Sequence, residues 1–249
     1  MKKVILTILL ILFFLCSCNS TTQISESENN KNTQKSNTSN IFVYKNEYEY
    51  IVSDNKVRIT KHYYNPEQKQ IIIPNAIDSK SVISIDHMAF ERHPGIQSIT
   101  LPEGLTQLEG ATFYKFLSLK EIKIPKNVTS IDSNPFWEAP SLEKITVDED
   151  NKYFCAIDGV LYNKDITKII SYPEGKADEK YVVPDTVVDM SGDAFGYDPL
   201  FKTIVIHSNV TIFPEYNMFI FPEDIILLVK KGSAAEQYAI SQQLNFQYY

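Results

Sequence analysis

The chain has few of the residues from which active sites are usually built. In 249 residues it holds three cysteines, four histidines and one tryptophan. Cys16 and Cys18 fall within the first 18 residues, so Cys155 stands alone in the remainder. One cysteine closes no intramolecular disulfide, and stability must come from a packed core. Between Phe154 and Ala156, Cys155 reads as a small buried hydrophobe rather than a nucleophile. His62, His87, His93 and His207 lie at no metal-ligand spacing, and neither a metal nor a cofactor is expected. The acidic run Asp148-Glu149-Asp150-Asn151 lacks the glycine and distal glutamate of a calcium loop. Gly175, Gly192 and Gly196 form no phosphate cradle, and no G-x-S-x-G occurs. Asp189 and Asp193 would sit on a turn without a cleft, so an acid/base pair is a poor reading. A non-enzyme is expected. Basic charge is scarce too, with 24 Lys and Arg against 31 Asp and Glu. That argues against nucleic acid, whose phosphates need a basic stripe, and against electrostatic adhesion to anionic lipid.

What the chain does have begins with a leader. Residues 1–18, MKKVILTILLILFFLCSC, carry two lysines and then a run from Val4 to Leu15 that is apolar apart from Thr7. The run is shorter than the ~20 residues that span a bilayer, so it reads as a secretory signal. Its end, Leu15-Cys16-Ser17-Cys18, resembles the lipobox of bacterial lipoproteins. That resemblance implies cleavage after residue 17, lipidation of Cys18 and a lipid-anchored place in the bacterial cell envelope, exposed at its surface. Without Lys2 and Lys3, 22 basic residues face 31 acidic ones, a formal charge of −9. Membrane contact would then run through the anchor. Residues 18–40 follow as a tether, apolar only at Ile24 beyond the cysteine, too polar to bury a core.

From residue 41 apolar residues return with a period. Ile99-Thr100-Leu101-Pro102 and Ile122-Lys123-Ile124-Pro125 are one phrase repeated 23 residues apart. Take each closing proline, or its equivalent, as position zero; coils then start at Pro74, Pro102, Pro125, Pro184 and His207. At offsets 3, 6, 11, 17, 20 and 22 the coil from Pro102 reads Leu105, Leu108, Phe113, Leu119, Ile122 and Ile124. The next reads Val128, Ile131, Phe136, Leu142, Ile145 and Val147, and that from Pro184 reads Val187, Met190, Phe195, Phe201, Ile204 and Ile206. With five extra residues in the loop 78–84, the coil from Pro74 reads Ile77, Ile85, Phe90, Ile96, Ile99 and Leu101. Offsets 20 and 22 flank a polar residue, the period of a strand with one buried face. One coil cannot bury its own apolar face, but stacked coils can. Each Ile-x-Ile is therefore expected to be one rung of a parallel ladder, ended by a proline that lacks the N–H to continue it.

This pattern resembles the BspA-type leucine-rich repeat family of bacterial surface proteins over most of residues 41–249. IDSKSVISIDHMAF (77–90) is similar to its entry repeat, DGVLYNKDITKIISYPEG (158–175) to its inserted hairpin, and KKGSAAEQYAISQQLNF (230–246) to its closing segment. The expected fold is mainly β: a leucine-rich-repeat solenoid with short parallel strands in 23-residue coils, an N-terminal β-hairpin cap and a short C-terminal helix. The expected layout is a signal at 1–17, lipidated Cys18 and tether at 18–40, a cap at 41–73 and a solenoid at 74–249. Within the solenoid, a hairpin is inserted at about 153–175 and a closing cap occupies 230–249. The sequence departs from the family where a cysteine often follows the spine Phe by three residues. His93, Phe116, Ala139 and Asp198 stand there instead.

The resemblance implies adhesion to a protein or glycan ligand, without nucleic acid. The residues themselves imply non-catalytic recognition. Alternatives are an envelope scaffold assembling with membrane proteins of the same cell, and a carbohydrate-binding accessory protein. The candidate binding face is the outward side of the ladder: Thr100, Lys123, Thr146, Val182 and Val205 at offset 21, with Ser98, Glu121, Lys144, Lys180 and Thr203 at offset 19. Thr and Val also suit any exposed sheet, so this row can equally be strand propensity. A second candidate is the aromatic row at offset 12, Tyr114, Trp137 and Phe219, with Tyr197 one step later. Such rings either anchor a partner or cover the spine.

Overall fold

The computed structural model describes residues 40–249 except 191, 198 and 221. The signal, Cys18 and all of the tether but Asn40 lie outside the described residues, as does Asp198. The chain opens with a three-stranded antiparallel meander of β1 (Ile41–Tyr44), β2 (Tyr48–Ser53) and β3 (Lys56–His62). Its turns, of three residues at 45–47 and two at 54–55, take positive φ at Lys45-Asn46 and Asp54-Asn55. That backbone twist suits a tight hairpin, and Asn and Asp tolerate it. The cap expected as a hairpin is thus a three-stranded meander.

Coils then stack along two parallel ladders. The first uses β4 (Gln70–Ile72). A short hairpin of β5 (Ala76–Ile77) and β6 (Lys80–Ile85) follows, then β7 (Ser98–Thr100), β8 (Gln107–Leu108), β9 (Glu121–Ile124), β10 (Ser130–Ile131) and β11 (Lys144–Val147). On the proline side β4 pairs with β7, and β9 with β11, Ile122 facing Ile145 in register. On another side of each coil β3, β6, β8 and β10 form a second ladder through Ile59, Ile85, Leu108 and Ile131. Hence the offset-6 residues are rungs as well as core. Of the apolar repeat positions, only Ile131 and Val147 are not fully buried.

The convex turns need the left-handed backbone at fixed places. Met88 and Ala111 adopt it 23 residues apart, as do Arg92, Lys115 and Glu138. Inside these turns runs the phenyl spine, with Phe90 5.7 Å from Phe113 and Phe113 stacked on Phe136 at 5.8 Å. Three residues beyond each spine Phe, Phe116 and Ala139 are buried and His93 stacks on Phe116 at 5.3 Å. Polar staples also tie each coil to the last: Thr106 Oγ1 donates to Ile83 O, Ser141 Oγ to Leu117 O, and Asn127 Nδ2 to Glu103 O.

The insertion is a three-stranded sheet rather than a hairpin: β12 (Phe154–Ile157), β13 (Val160–Asn163) and β14 (Ile169–Ser171). Its residues alternate between two hydrophobic cores. Leu161 and Ile170 pack into the N-terminal core, whereas Val160, Tyr162 and Ile169 pack into the C-terminal one. The sheet is a partition wall, buried on both faces. Beyond it β15 (Lys180–Val182), β16 (Thr203–Ile206) and β17 (Ile226–Val229) resume the first ladder in parallel. A short helix, α1 (Ala234–Ser241), leads to the last parallel strand, β18 (Phe246–Tyr248). Ser233 caps the helix by accepting the Glu236 amide at 3.2 Å. The Glu236 carboxylate reaches the Gly232 amide instead of closing a reciprocal box on Ser233.

Candidate recognition face

The outward row at offsets 19 and 21 does occupy one side of the proline ladder, but not as one continuous sheet. Three hydrogen-bonded blocks share it: β4–β7, β9–β11 and β15–β18. Ser98, Thr100, Glu121, Lys123 and Lys144 are exposed, Thr146 and Thr203 half-buried, and Val182 half exposed. Val205 is a correction. It lies between Val182 and Leu228 in the register and is only 7% exposed. A central-strand side chain with aliphatic neighbours on both flanks has little surface left.

Charges on this face are not equivalent. Lys123 Nζ sits 2.8 Å from Asp148, which raises the lysine pKa and lowers that of the aspartate through their shared hydrogen bond. Lys120 pairs with Glu143 at 3.4 Å. By contrast, Lys144 and Lys180 are exposed and enter no ion pair among the described residues. Lys180 lies on β15 with Val182, in register through β16 with Ile226 and Leu228, whereas Lys144 lies on β11 on the other side of the insertion.

Between β11 and the wall lies an open cleft of about 590 Å³, lined by Lys144, Thr146, Val147, Asp158 and Lys176 among others. Its cause is the insertion: Ile145 donates its amide to Gly159 O in the β12–β13 turn, where a regular coil would offer a strand. Lys176 bridges Asp158 at 2.8 Å and Asp178 at 2.9 Å. Burial opposes its charge, but the two carboxylates outweigh burial and raise its pKa. A second gap of about 220 Å³ opens on the other ladder beside Ile131 and Phe154. The two half-exposed repeat residues, Val147 and Ile131, thus line the two gaps beside the wall.

Stacking across the wall rests on two buried polar groups that sequence reasoning did not single out. Asn134 accepts from the Ser171 hydroxyl at 2.8 Å and donates to Asp193 O at 3.1 Å. Glu174, 4% exposed, accepts the amides of Glu138 at 2.9 Å and Tyr197 at 2.8 Å. Glu174 and Gly175 end the quoted SYPEG stretch, which was the available signal.

The aromatic row divides. Phe219 is 2% exposed, with its ring 5.3 Å from Phe195, and is a correction: it belongs to the core. Tyr114 is half-buried with its hydroxyl on Glu138 at 2.7 Å and Lys115 over its ring. Trp137 is half-buried edge-on to Tyr197 at 6.4 Å. Two partly covered rings on adjacent coils remain. Cys155 is half-buried, donates to Asn163 O at 3.4 Å, and burial raises its pKa, which keeps the thiol protonated and inert. Among the described residues no His, Cys, Asp and Glu gather in a group that could hold a metal.

Stacked coils with a repeated aliphatic rung, a phenyl spine and prolines beyond β4, β7, β9 and β15 define a leucine-rich repeat solenoid. More specifically, residues 55–175 match the family described as BspA type Leucine rich repeat region, in six copies. Among curated proteins none matches the chain. Similar solved structures include a leucine rich cell surface protein from Faecalibacterium prausnitzii, 17% identical over 79% of this chain and 77% of that one, with a TM-score of 0.46. A leucine-rich repeat protein from Eubacterium ventriosum is 19% identical over 85% and 73%, TM-score 0.43. The pneumococcal vaccine antigen PcpA is 19% identical over 78% and 70%, TM-score 0.41.

Proposed function

We propose that the protein is a non-catalytic lipoprotein, anchored through Cys18 and displayed on a bacterial surface, that recognises another macromolecule through the outward face of its proline ladder. The repeat family supports a role in protein interaction. The observation that carries the choice of face is an aliphatic strip of exposed Val182 with half-buried Ile226 and Leu228, on a ladder face that also bears the unpaired ammonium groups of Lys144 and Lys180. Apolar area supplies affinity, and the lysines supply orientation and salt-sensitive encounter. A protein partner offering a hydrophobic strip edged by carboxylates is the best complement. Host adhesion is the leading biological setting for it, ahead of scaffolding within the envelope or glycan capture.

Cells bearing Lys144→Glu with Lys180→Glu should lose at least tenfold in attachment to the partner surface while displaying the same amount of protein. Attachment unchanged by that pair of substitutions sinks the assignment of this face. Cys18→Ser should release the protein into the medium and abolish labelling by a fatty-acid analogue; retention with labelling would refute the anchor.

A further inference from the structure

Among the described residues nothing covers the outer edge of β1. Strand β1 reads Ile41-Phe42-Val43-Tyr44 and, among the described residues, pairs only with β2. Its first three side chains are 60%, 43% and 56% exposed, so both faces of the strand carry uncovered apolar surface. Natural edge strands are blunted by charge, proline, a bulge or a covering segment. Here β1 contains no charge and no proline, and its register with β2 is regular from Ile41 to Tyr44. The opposite end of the solenoid differs: α1 interrupts the path from β17 to β18, and the last strand carries Gln247 between two aromatics.

We infer that β1 is a self-association edge, on which β1 of a second copy of this chain pairs antiparallel about a two-fold axis. Such an axis, perpendicular to the sheet, must bring each residue opposite one that points to the same face. Centred on Phe42, this register opposes Phe42 with itself, Ile41 with Val43 of the second copy, and Asn40 with Tyr44. Every opposed pair is then uncharged, and an aromatic pair is flanked by two aliphatic ones, the cross-strand partners that stabilise antiparallel sheets. Centred on Val43 instead, Ile41 would face Lys45, which leaves the Phe42 register favoured. The left-handed turn at Lys45-Asn46 ends the strand and limits the pairing to these residues. The result is one mixed sheet running through both copies, with the six antiparallel cap strands at its centre and a parallel ladder on each side, and with the two recognition faces held as a pair.

A contact of about five residues per copy is smaller than a standard interface, so the dimer is weak in solution. Copies anchored on one surface would form it far more readily, because tethering raises their effective concentration. The self-association stands independently of the recognition face proposed above. Residues 40–249, the compact unit that holds both cores, suit sedimentation velocity from 10 to 500 µM, with circular dichroism to verify folding. The weight-average mass should rise toward twice that of one chain over this range. Phe42→Lys and Phe42→Glu should each remain monomeric at 500 µM, since each sets like charges across the axis. An equimolar mixture of the two should recover the dimer, since it sets opposite charges there. A wild-type mass that stays at one chain at 500 µM overturns the inference, as does association that Phe42→Lys leaves intact. Failure of the mixture to reassociate overturns the register centred on Phe42.

Discussion

The residue that best shows how single side chains govern this fold is His93. Its ring stacks on Phe116, and its Nε2 lies 2.7 Å from His62 Nδ1. His93 Nδ1 is 2.7 Å from Glu91 O, and a carbonyl only accepts, so the proton sits on Nδ1. His93 Nε2 is then the acceptor, and His62 Nδ1–H the donor. That leaves His62 Nε2 unprotonated, buried, and without a hydrogen-bond partner among the described residues. Tyr48, Tyr64 and Phe90 surround the pair, and its hydrogen bonds reach no carboxylate. Burial therefore holds both imidazoles down to about 4, with mutual repulsion adding to the effect on His62. Unfolded histidine titrates near 6.5, so between pH 6.5 and 4 the unfolded chain binds protons that the folded one refuses. Stability from this pair is full above pH 6.5 and is lost as pH falls through that window, at about 1.4 kcal/mol per pH unit for one histidine. Thermal unfolding at pH 7.5 and 5 should show the loss in the native chain. His62→Phe with His93→Phe should flatten it; an equal slope in both chains would show that the pair does not carry the effect. The sequence marked His93 only as a departure from cysteine. The pairing was hidden because His62 comes from the cap, 31 residues earlier, and only the folded turn brings the rings together.

At the scale of elements, what could be read from the sequence was whatever repeats with a side-chain period. The rungs at offsets 20 and 22 alternate visibly, and the structure sets Ile145 opposite Ile122 as that spacing implies. The second ladder escaped because its strands, Gln107–Leu108 and Ser130–Ile131, are two residues long and too short to alternate. The face also split into three blocks, since the insertion places a turn where the next strand should lie. At that break the repeat is carried by backbone and polar groups rather than by apolar ones. Gly196 is the sharpest case: φ is +62°, and an added Cβ would fall 2.2 Å from the Glu174 carboxylate oxygen. That oxygen is the one accepting the amides of Glu138 and Tyr197. Gly196→Ala therefore combines left-handed strain with a displaced buried carboxylate. It should cost about 2–4 kcal/mol, read as a lowered urea midpoint with an unchanged slope. A midpoint within error of the native chain would show that Glu174 can move without penalty.

The whole molecule behaves as two stacks sharing a wall. A plain solenoid couples each coil only to its neighbours, so a defect spreads by contact along one dimension. Here the inserted sheet is the neighbour of both halves, because successive residues of β13 point into different cores. Val160 and Tyr162 face the C-terminal core, and Leu161 faces the N-terminal one. All three are buried, and the Tyr162 hydroxyl is 2.7 Å from that of Tyr181, deep in the C-terminal side. Burial raises the pKa of Tyr162 to about 12 and holds that of Tyr181 well above its ordinary value, so the two phenols stay neutral and share one hydrogen bond at any ordinary pH. Adjacent residues should thus destabilise opposite ends of the protein. Leu161→Ala should cost about 2–5 kcal/mol and speed amide hydrogen exchange mainly in β7 to β11. Tyr162→Phe removes only the shared hydroxyl bond, should cost about 1–2 kcal/mol, and should speed exchange mainly in β15 to β17. If both substitutions loosen the same half, the sheet is not a partition and the two cores unfold as one. If each loosens its own half, the inserted sheet is a boundary between two units of stability.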